Sequence, residues 1–295
     1  MSLIVSENFR ALFYAPFYLA HATGAYDIQG VSVSLQASPS PAESARMLQE
    51  GSVDVMWGGP LRVLMERDTD PSCTMKCFQA VVSRDPFFIL GRTPAPDFEL
   101  PSLASIRLAT VAEVPTPWLC LQDDLRRAGI DPASLDRRSD LPMADSAAAL
   151  RRGEIDAVQV FQPHAEDLLR DGAAHLWYAA ATRGPTSYTN FVALERTLQA
   201  RRPELLAMTR AMRATLQWMA TTPGTEIATV LAPYFPDLPT DLIAACVDRY
   251  RALQLWNDDA ALLREGFARL RNAMLSGGAI TRGASFEECV DVGLI

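Results

Sequence analysis

The feature that most constrains the fold of this chain is an internal repeat. Residues 44–56 read SARMLQEGSVDVM and residues 146–158 read SAAALRRGEIDAV. Each copy places apolar residues at helical spacing (Ala45 and Leu48; Ala147 and Leu150). A glycine follows (Gly51; Gly153), then an acidic residue inside a short apolar run (Val53-Asp54-Val55; Ile155-Asp156-Ala157). That order is the signature of a helix, its glycine stop and the next strand. A chain that builds the same αβ unit twice has to offer it equivalent surroundings twice. Its 295 residues suit two α/β lobes better than one core.

The flanking pattern supplies the rest of each lobe. Strands are expected at Leu3–Val5, Val31–Leu35 and Val53–Met56, with helices at Pro16–His21, Ala42–Glu50 and Pro60–Glu66. This alternation argues for parallel pairing. Residues 73–91 form a long β-rich stretch, and the proline-rich TPAPDFELP precedes a fresh start. Strands at Ile106–Thr110, Leu135–Arg138, Ile155–Val160 and Leu176–Ala180 then interleave with helices at Trp118–Ala128, Ala144–Arg152 and Pro163–Arg170. A β-like segment, Thr189–Leu194, closes the series. Amphipathic segments at Pro203–Ala220, Glu226–Leu231, Thr240–Leu253, Ala260–Met274 and Phe286–Val290 make a helical coda. The expected architecture is α/β and two-lobed, with the C-terminal helices packed on the first lobe. Two crossings, near Arg84–Arg92 and Gly184–Phe191, make lobe 1 from residues 1–86 and 190–295 and insert lobe 2, residues 87–189, within it. Such a double connection permits a hinge.

Charge and motif content exclude several functions. A net charge of −8 disfavours a nucleic-acid partner. No apolar run is long enough to insert in a membrane. The opening stretch lacks a basic n-region and is broken by Glu7, Asn8 and Arg10, so the chain shows no signal peptide. The expected location is periplasmic if a leader has been removed and cytoplasmic otherwise. The five cysteines are scattered without a CxxC pair and read as small buried apolar residues. His21, His164 and His175 lie far apart, and none has metal-ligand spacing. There is no GxSxG elbow, Walker A loop or Rossmann glycine fingerprint. No catalytic residue, metal or cofactor is expected, and binding is favoured over catalysis.

In open α/β sheets, ligands bind at the carboxyl ends of strands, where helix N-termini converge. Four such junctions carry proline at or near the first helical position: Ala15-Pro16, Gly59-Pro60, Thr116-Pro117 and Gln162-Pro163. Proline costs little there, and the remaining first-turn amides favour an anion. Aromatic and polar residues gather around these junctions, as a small-molecule cleft requires. The candidate ligand-binding residues are Asn8, Phe13, Tyr14, Gly58, Gly59, Arg62, Glu113, Thr116, Trp118, Gln159, Gln162 and Tyr188, with Phe9, Trp57 and Phe161 nearby. Arg62, Arg84 and Arg92 are candidate anion contacts. Phe17 and Leu19 are assigned to the core. Asp54 and Asp156 are expected to bond neighbouring backbone.

The opening strand followed by APFYLAHATGAYDIQGVSVSL, the two repeat copies, SRDPFFILGR and SLASIRLAT together resemble the nitrate/sulfonate/taurine-type solute-binding proteins of ABC importers, across roughly residues 3–195. The resemblance implies a type II periplasmic-binding-protein fold whose lobes close on a small anionic or heteroaromatic ligand, with an ABC permease as partner. Thiamine-pyrimidine synthases share the superfamily and carry a lysine and a histidine just after the strand-end glycine. Here that stretch, GGPLRVLME, offers Arg62 and Glu66, and the only lysine, Lys76, lies elsewhere. Aryl-sulfinate desulfinases need a cysteine after the first strand, where residues 7–15 have none. A cytoplasmic enzyme of this fold, of the thiamine-pyrimidine or desulfination kind, stands as the alternative.

Overall fold

The two repeat copies end their helices identically in the computed structural model, which describes residues 2–257 and 260–294. The outer limits of the expected first lobe, residues 1 and 295, lie outside the described residues. Helix α3 (Pro41–Glu50) and helix α6 (Met143–Arg152) both stop at a left-handed glycine, Gly51 at φ +79° and Gly153 at φ +75°. Ser52 N donates to Met47 O at 3.0 Å and Gly51 N to Leu48 O at 3.1 Å. Glu154 N to Ala149 O and Gly153 N to Leu150 O repeat the pattern, both at 3.0 Å. This paired closure needs positive φ, which only glycine adopts without strain.

The strands after the stops are β3 (Val55–Gly58) and β8 (Ala157–Val160), each starting two residues later than the apolar pattern predicts. Asp54 and Asp156 account for the shift. Asp54 accepts Ile4 N at 2.9 Å, and Asp156 accepts Arg107 N at 3.0 Å. Each carboxylate thus pins the lead-in of its strand to the neighbouring strand, β1 (Leu3–Glu7) or β6 (Arg107–Ala109). Arg107 also clasps Asp156 through Nε at 2.9 Å and Nη2 at 2.7 Å.

These bonds from the Arg107 guanidinium, with burial opposing and the Arg107 amide assisting, hold the Asp156 carboxyl down at about 2. A depressed carboxylate contributes stability above its unfolded value near 3.9, and that contribution disappears as pH falls through the folded value. The side chain is 34% exposed, so solvent screening reduces the effect to on the order of 1 kcal/mol. In urea titrations, Asp156→Asn is expected to be less stable than the parent near neutrality, with the difference shrinking between about pH 4 and pH 2. An equal difference at both ends would assign the effect to packing.

The first sheet has the order β2-β1-β3-β10-β4, with β2 at Val33–Ala37, β4 at Met75–Val82 and β10 at Thr189–Leu194. The second has the order β7-β6-β8-β5-β9, with β5 at Phe88–Gly91, β7 at Asp136–Arg138 and β9 at His175–Ala179. Strands β1, β2 and β3 are parallel, as are β6, β7 and β8. The fourth strand in each order is antiparallel to both neighbours, which corrects the expectation of parallel pairing throughout. In each sheet this is the strand that enters directly after the chain has crossed from the other sheet. The β-rich run 73–91 is therefore two strands in two sheets. The chain leaves the first sheet after Val82 and re-enters it at Thr189.

Helices α1 (Ala15–Ala22), α2 (Ala25–Ile28) and α4 (Pro60–Thr69) flank the first sheet, and α5 (Thr116–Arg127) and α7 (His164–Arg170) the second. Phe17 and Leu19 of α1 are fully buried. After β10 come α8 (Glu195–Ala200), α9 (Arg202–Thr221), α10 (Gly224–Leu231), α11 (Thr240–Ala252), α12 (Arg264–Ser276) and α13 (Phe286–Cys289). Helix α9 packs on α1 and α2, and α10 packs on α1 and α11. Helices α11 and α12 also reach the second sheet's helices, α7 and α5 respectively. Residues 260–263 are not helical as expected: Ala260 adopts φ +57° and its carbonyl accepts Ala80 N at 3.2 Å. Among the described residues, no helix is long and apolar enough to cross a membrane.

Candidate functional site

The segments after the carboxyl ends of β1, β2 and β3 in the first sheet and of β6 in the second line one cavity of about 240 Å³. Three helices begin at its wall. Helix α3 starts there with Ser40 as N-cap, its hydroxyl accepting Glu43 N at 3.1 Å, and Pro41 in the first turn. That leaves Ala42 N as a leading amide without an intrahelical partner. At α4, Pro60 has no N–H and Arg62 N bonds Gly59 O at 3.0 Å, which leaves Leu61 N. Helix α5 contributes Thr116 and the preceding Pro115. Leading amides and aligned helix dipoles favour negative charge at these points.

Eight of the twelve expected residues line this cavity: Asn8, Phe13, Tyr14, Gly59, Arg62, Glu113, Thr116 and Tyr188. Asn8 acts largely as a strut. Its amide donates to Trp57 O at 2.8 Å and accepts from Ser44 Oγ at 2.6 Å. Ser44 in turn meets the hydroxyls of Ser6 and Ser38 at 2.9 and 2.7 Å. This buried polar chain ties the ends of β1 and β3 to α3. Tyr14 is pushed up to about 12 by burial, with hydrogen bonds to Asn8 and Thr189 opposing, so its phenol stays neutral. Tyr188 is 7% exposed, and its hydroxyl has no partner among the described residues. Its backbone passes so close to Gly59 that a Cβ there would lie 2.7 Å from Tyr188 O. Only glycine admits the second crossing segment at that distance.

Arg62 is the cation of the cavity. It lies on the first turn of α4 and stands 3.8 Å from Glu66, a loose pairing, while its Nε is buried without a partner among the described residues. Glu113, on the loop leaving β6, faces it from the second sheet's side, with Oε1 accepting Met143 N at 2.8 Å at the start of α6. The aromatic wall is continuous. Phe9 lies 5.6 Å from Tyr14, Phe13 lies 4.3 Å from Tyr14, and Tyr188 meets Phe13 edge-on at 6.2 Å.

Four expected residues lie elsewhere. Gly58 is buried at the end of β3 behind the wall. The ring of Trp118 turns outward under the Arg137 guanidinium at 4.0 Å. Gln159 is spent inside the second sheet, donating to Pro117 O at 3.2 Å. Gln162 folds back as a cap, its Oε1 accepting Glu166 N at 2.8 Å while its backbone N–H donates to the Tyr250 hydroxyl at 3.0 Å. Two of the three candidate anion contacts are also displaced. Arg92 packs over Gly153. Arg84 bonds Ala181 O at 3.2 Å and lines a separate hollow of about 290 Å³ behind the crossing segments. That hollow abuts the C-terminal ends of α9 and α11, where dipoles oppose anions. His164 begins α7 outside the cavity, and burial pushes its imidazole below the ordinary range.

The junction that sequence reasoning missed is Ser40-Pro41-Ala42. Its signal was present: serine, then proline at the first helical position and glutamate at the third. Val114, Pro115 and Thr189 complete the lining.

Comparison with known proteins agrees with this architecture. Residues 9–232 match the model of the NMT1-like family, and the chain belongs to that family. It is 22% identical over 292 residues to a Bacillus subtilis (strain 168) protein named "Putative binding protein YtlA", covering 97% of this chain and 86% of that one. Among solved structures, the periplasmic aliphatic sulphonate binding protein SsuA from Escherichia coli superposes with a TM-score of 0.79 at 15% identity, over 98% of this chain and 97% of that one. The desulfurization enzyme DSZB superposes at 0.68 and 12% identity, over 99% and 97%. The fold is that of the periplasmic binding proteins, and by itself it is compatible with binding or with catalysis.

Proposed function

We propose that this protein is the solute-binding component of an ABC importer, acting outside the cytoplasm and delivering its ligand to a permease. The ligand is a small anion held in the cavity between lobe 1, residues 1–86 and 190–295, and lobe 2, residues 87–189. The observation that carries this reading is the cavity wall: three helix N-termini and the loosely paired Arg62 surround one space. Because α3 and α4 belong to one lobe and α5 to the other, a bound anion contacts both, and differential contact shifts the equilibrium toward the closed form. The enzyme alternative gains no residue here. Arg62 and Glu66 occupy the lysine and histidine positions of the thiamine-pyrimidine synthases, and Lys76 is ion-paired with Glu195 at 3.0 Å on β4.

Thermal unfolding of the full chain with alkanesulfonates, aromatic acids and nitrate at millimolar concentration tests the proposal. A ligand that binds only the folded form at 100 times its Kd raises stability by about 2.7 kcal/mol. The expected result is a raised melting temperature with at least one anion and no chemical change in it. Turnover of the bound anion would overturn the reading, as would a response confined to cations.

A further inference from the structure

We propose that the ligand is a single-ring aromatic acid that carries a hydrogen-bond donor on the ring edge away from its acid group. This rests on the anion-binding reading above and narrows it. The half-open cavity, about 240 Å³, exceeds the roughly 150 Å³ that accommodates benzene in an engineered apolar cavity. One substituted ring has room in it. The walls set the shape. Phe9 is the partly exposed ring of this wall, backed by the buried rings of Phe13, Tyr14 and Tyr188, and a flat aromatic partner covers such a ring with offset or edge contacts that an alkyl chain does not reproduce.

The two ends of the cavity differ in sign. Arg62 and the leading amides of α3 and α4 make an electropositive end on the first lobe. Glu113 stands on the second lobe. One of its oxygens is committed to Met143 N at 2.8 Å, so the carboxylate is fixed in place with its second oxygen still able to accept. A compact anion such as nitrate would meet that carboxylate with nothing to offer it and would leave the rings uncovered. An acid with an amino or hydroxyl group across the ring satisfies both ends at once, and in doing so it links the lobes. Glu113 is then the specificity-determining residue.

Calorimetric titration of the full chain with 4-aminobenzenesulfonate, benzenesulfonate and propane-1-sulfonate tests the assignment. The expected order is 4-aminobenzenesulfonate tightest, then benzenesulfonate, then propane-1-sulfonate, with steps of roughly tenfold. Glu113→Gln keeps a carbonyl oxygen for Met143 N and removes the charge. It is expected to cut the ratio between the two aryl ligands to about threefold or less, because charged acceptors bond more strongly than neutral ones. Phe9→Ala, at a partly buried ring, is expected to weaken both aryl ligands by a larger factor than it weakens propane-1-sulfonate. Equal affinities for all three ligands, or an unchanged ratio in Glu113→Gln, would overturn this inference while leaving the anion site standing. Failure of every anion to bind would remove both.

Discussion

Replacing Asp85 by alanine is expected to destabilise the protein by about 3 kcal/mol, the cost of taking one of two carboxylates from a buried guanidinium. Asp85 lies on the first crossing segment and is fully buried, with Oδ1 accepting Phe87 N at 3.0 Å and Oδ2 accepting Arg183 Nη1 at 2.8 Å. Arg183 lies on the second crossing segment, and its Nε donates to Asp124 of α5 at 2.7 Å. One guanidinium thus fastens both connections and the first helix of the second lobe. Burial pushes the Asp85 carboxyl up, against the opposing pull of Arg183 and the Phe87 amide, so desolvation outweighs what the partners return. Arg183 is instead held well above its ordinary range against its burial, with Asp85 and Asp124 raising it, so the cost of burial falls on Asp85 and removing either carboxylate weakens the hold on the guanidinium.

That balance predicts a distinct pattern in chemical denaturation. Asp85→Ala loses most, and Asp85→Asn loses less because an amide oxygen can still accept Phe87 N. The triple variant Asp85→Ala, Asp124→Ala, Arg183→Met recovers part of the loss, since apolar replacement of a whole buried ion cluster is often neutral or favourable. In thermal scans the single alanine variant should melt on the order of 10 °C lower. A loss under 1 kcal/mol would mean that water or Asp124 compensates Arg183, and that the triad does not fix the crossing segments.

What the sequence disclosed and what it hid divide by range. The helix stops at Gly51 and Gly153, and the backbone bonds of Asp54 and Asp156, follow from side chains and φ values within a few residues, so the repeat revealed them. Proline at helix starts likewise pointed to Gly59, Arg62 and Thr116 on the cavity. Gln162 was misplaced because its backbone amide is taken by Tyr250, 88 residues later in the chain. Arg84 and Trp118 were misplaced for the same reason: Gln254 and Arg137 claim them from distant segments. The antiparallel strands β5 and β10 were hidden because pairing direction depends on which sheet the chain has just left, and no local pattern records that. Ser40 differs from these cases. Its capping signature was local and legible, but it follows an edge strand, β2, whose mostly polar face gave no hint of a site.

The remaining large effect is expected at Arg62, and it separates ligand binding from stability. The guanidinium lies at the wall of the cavity, with Nε buried and unpartnered among the described residues and its nearest carboxylate, on Glu66, at 3.8 Å. A loose, partly buried ion pair at 3.8 Å contributes little to folding, about 0–1 kcal/mol, and a desolvated N–H without an acceptor costs free energy in the empty protein. Arg62→Ala is therefore expected to melt at the same temperature as the parent or slightly above it. A bound anion meets the accessible remainder of the side chain, which is 21% exposed. Hydrogen bonds to charged groups are worth about 1.5–3 kcal/mol, so the same variant should bind its anion roughly 10- to 100-fold more weakly. Arg62→Lys should fall between, since an ammonium keeps the charge and loses the planar fork that meets two oxygens at once. Measured by calorimetry and thermal scans on the same preparations, the expected signature is unchanged apo stability with a lost ligand-induced shift. A variant that unfolds early would instead assign Arg62 to the architecture of α4. Full affinity in Arg62→Ala would transfer anion recognition to the helix amides alone, because those are the remaining electropositive groups at that end of the cavity.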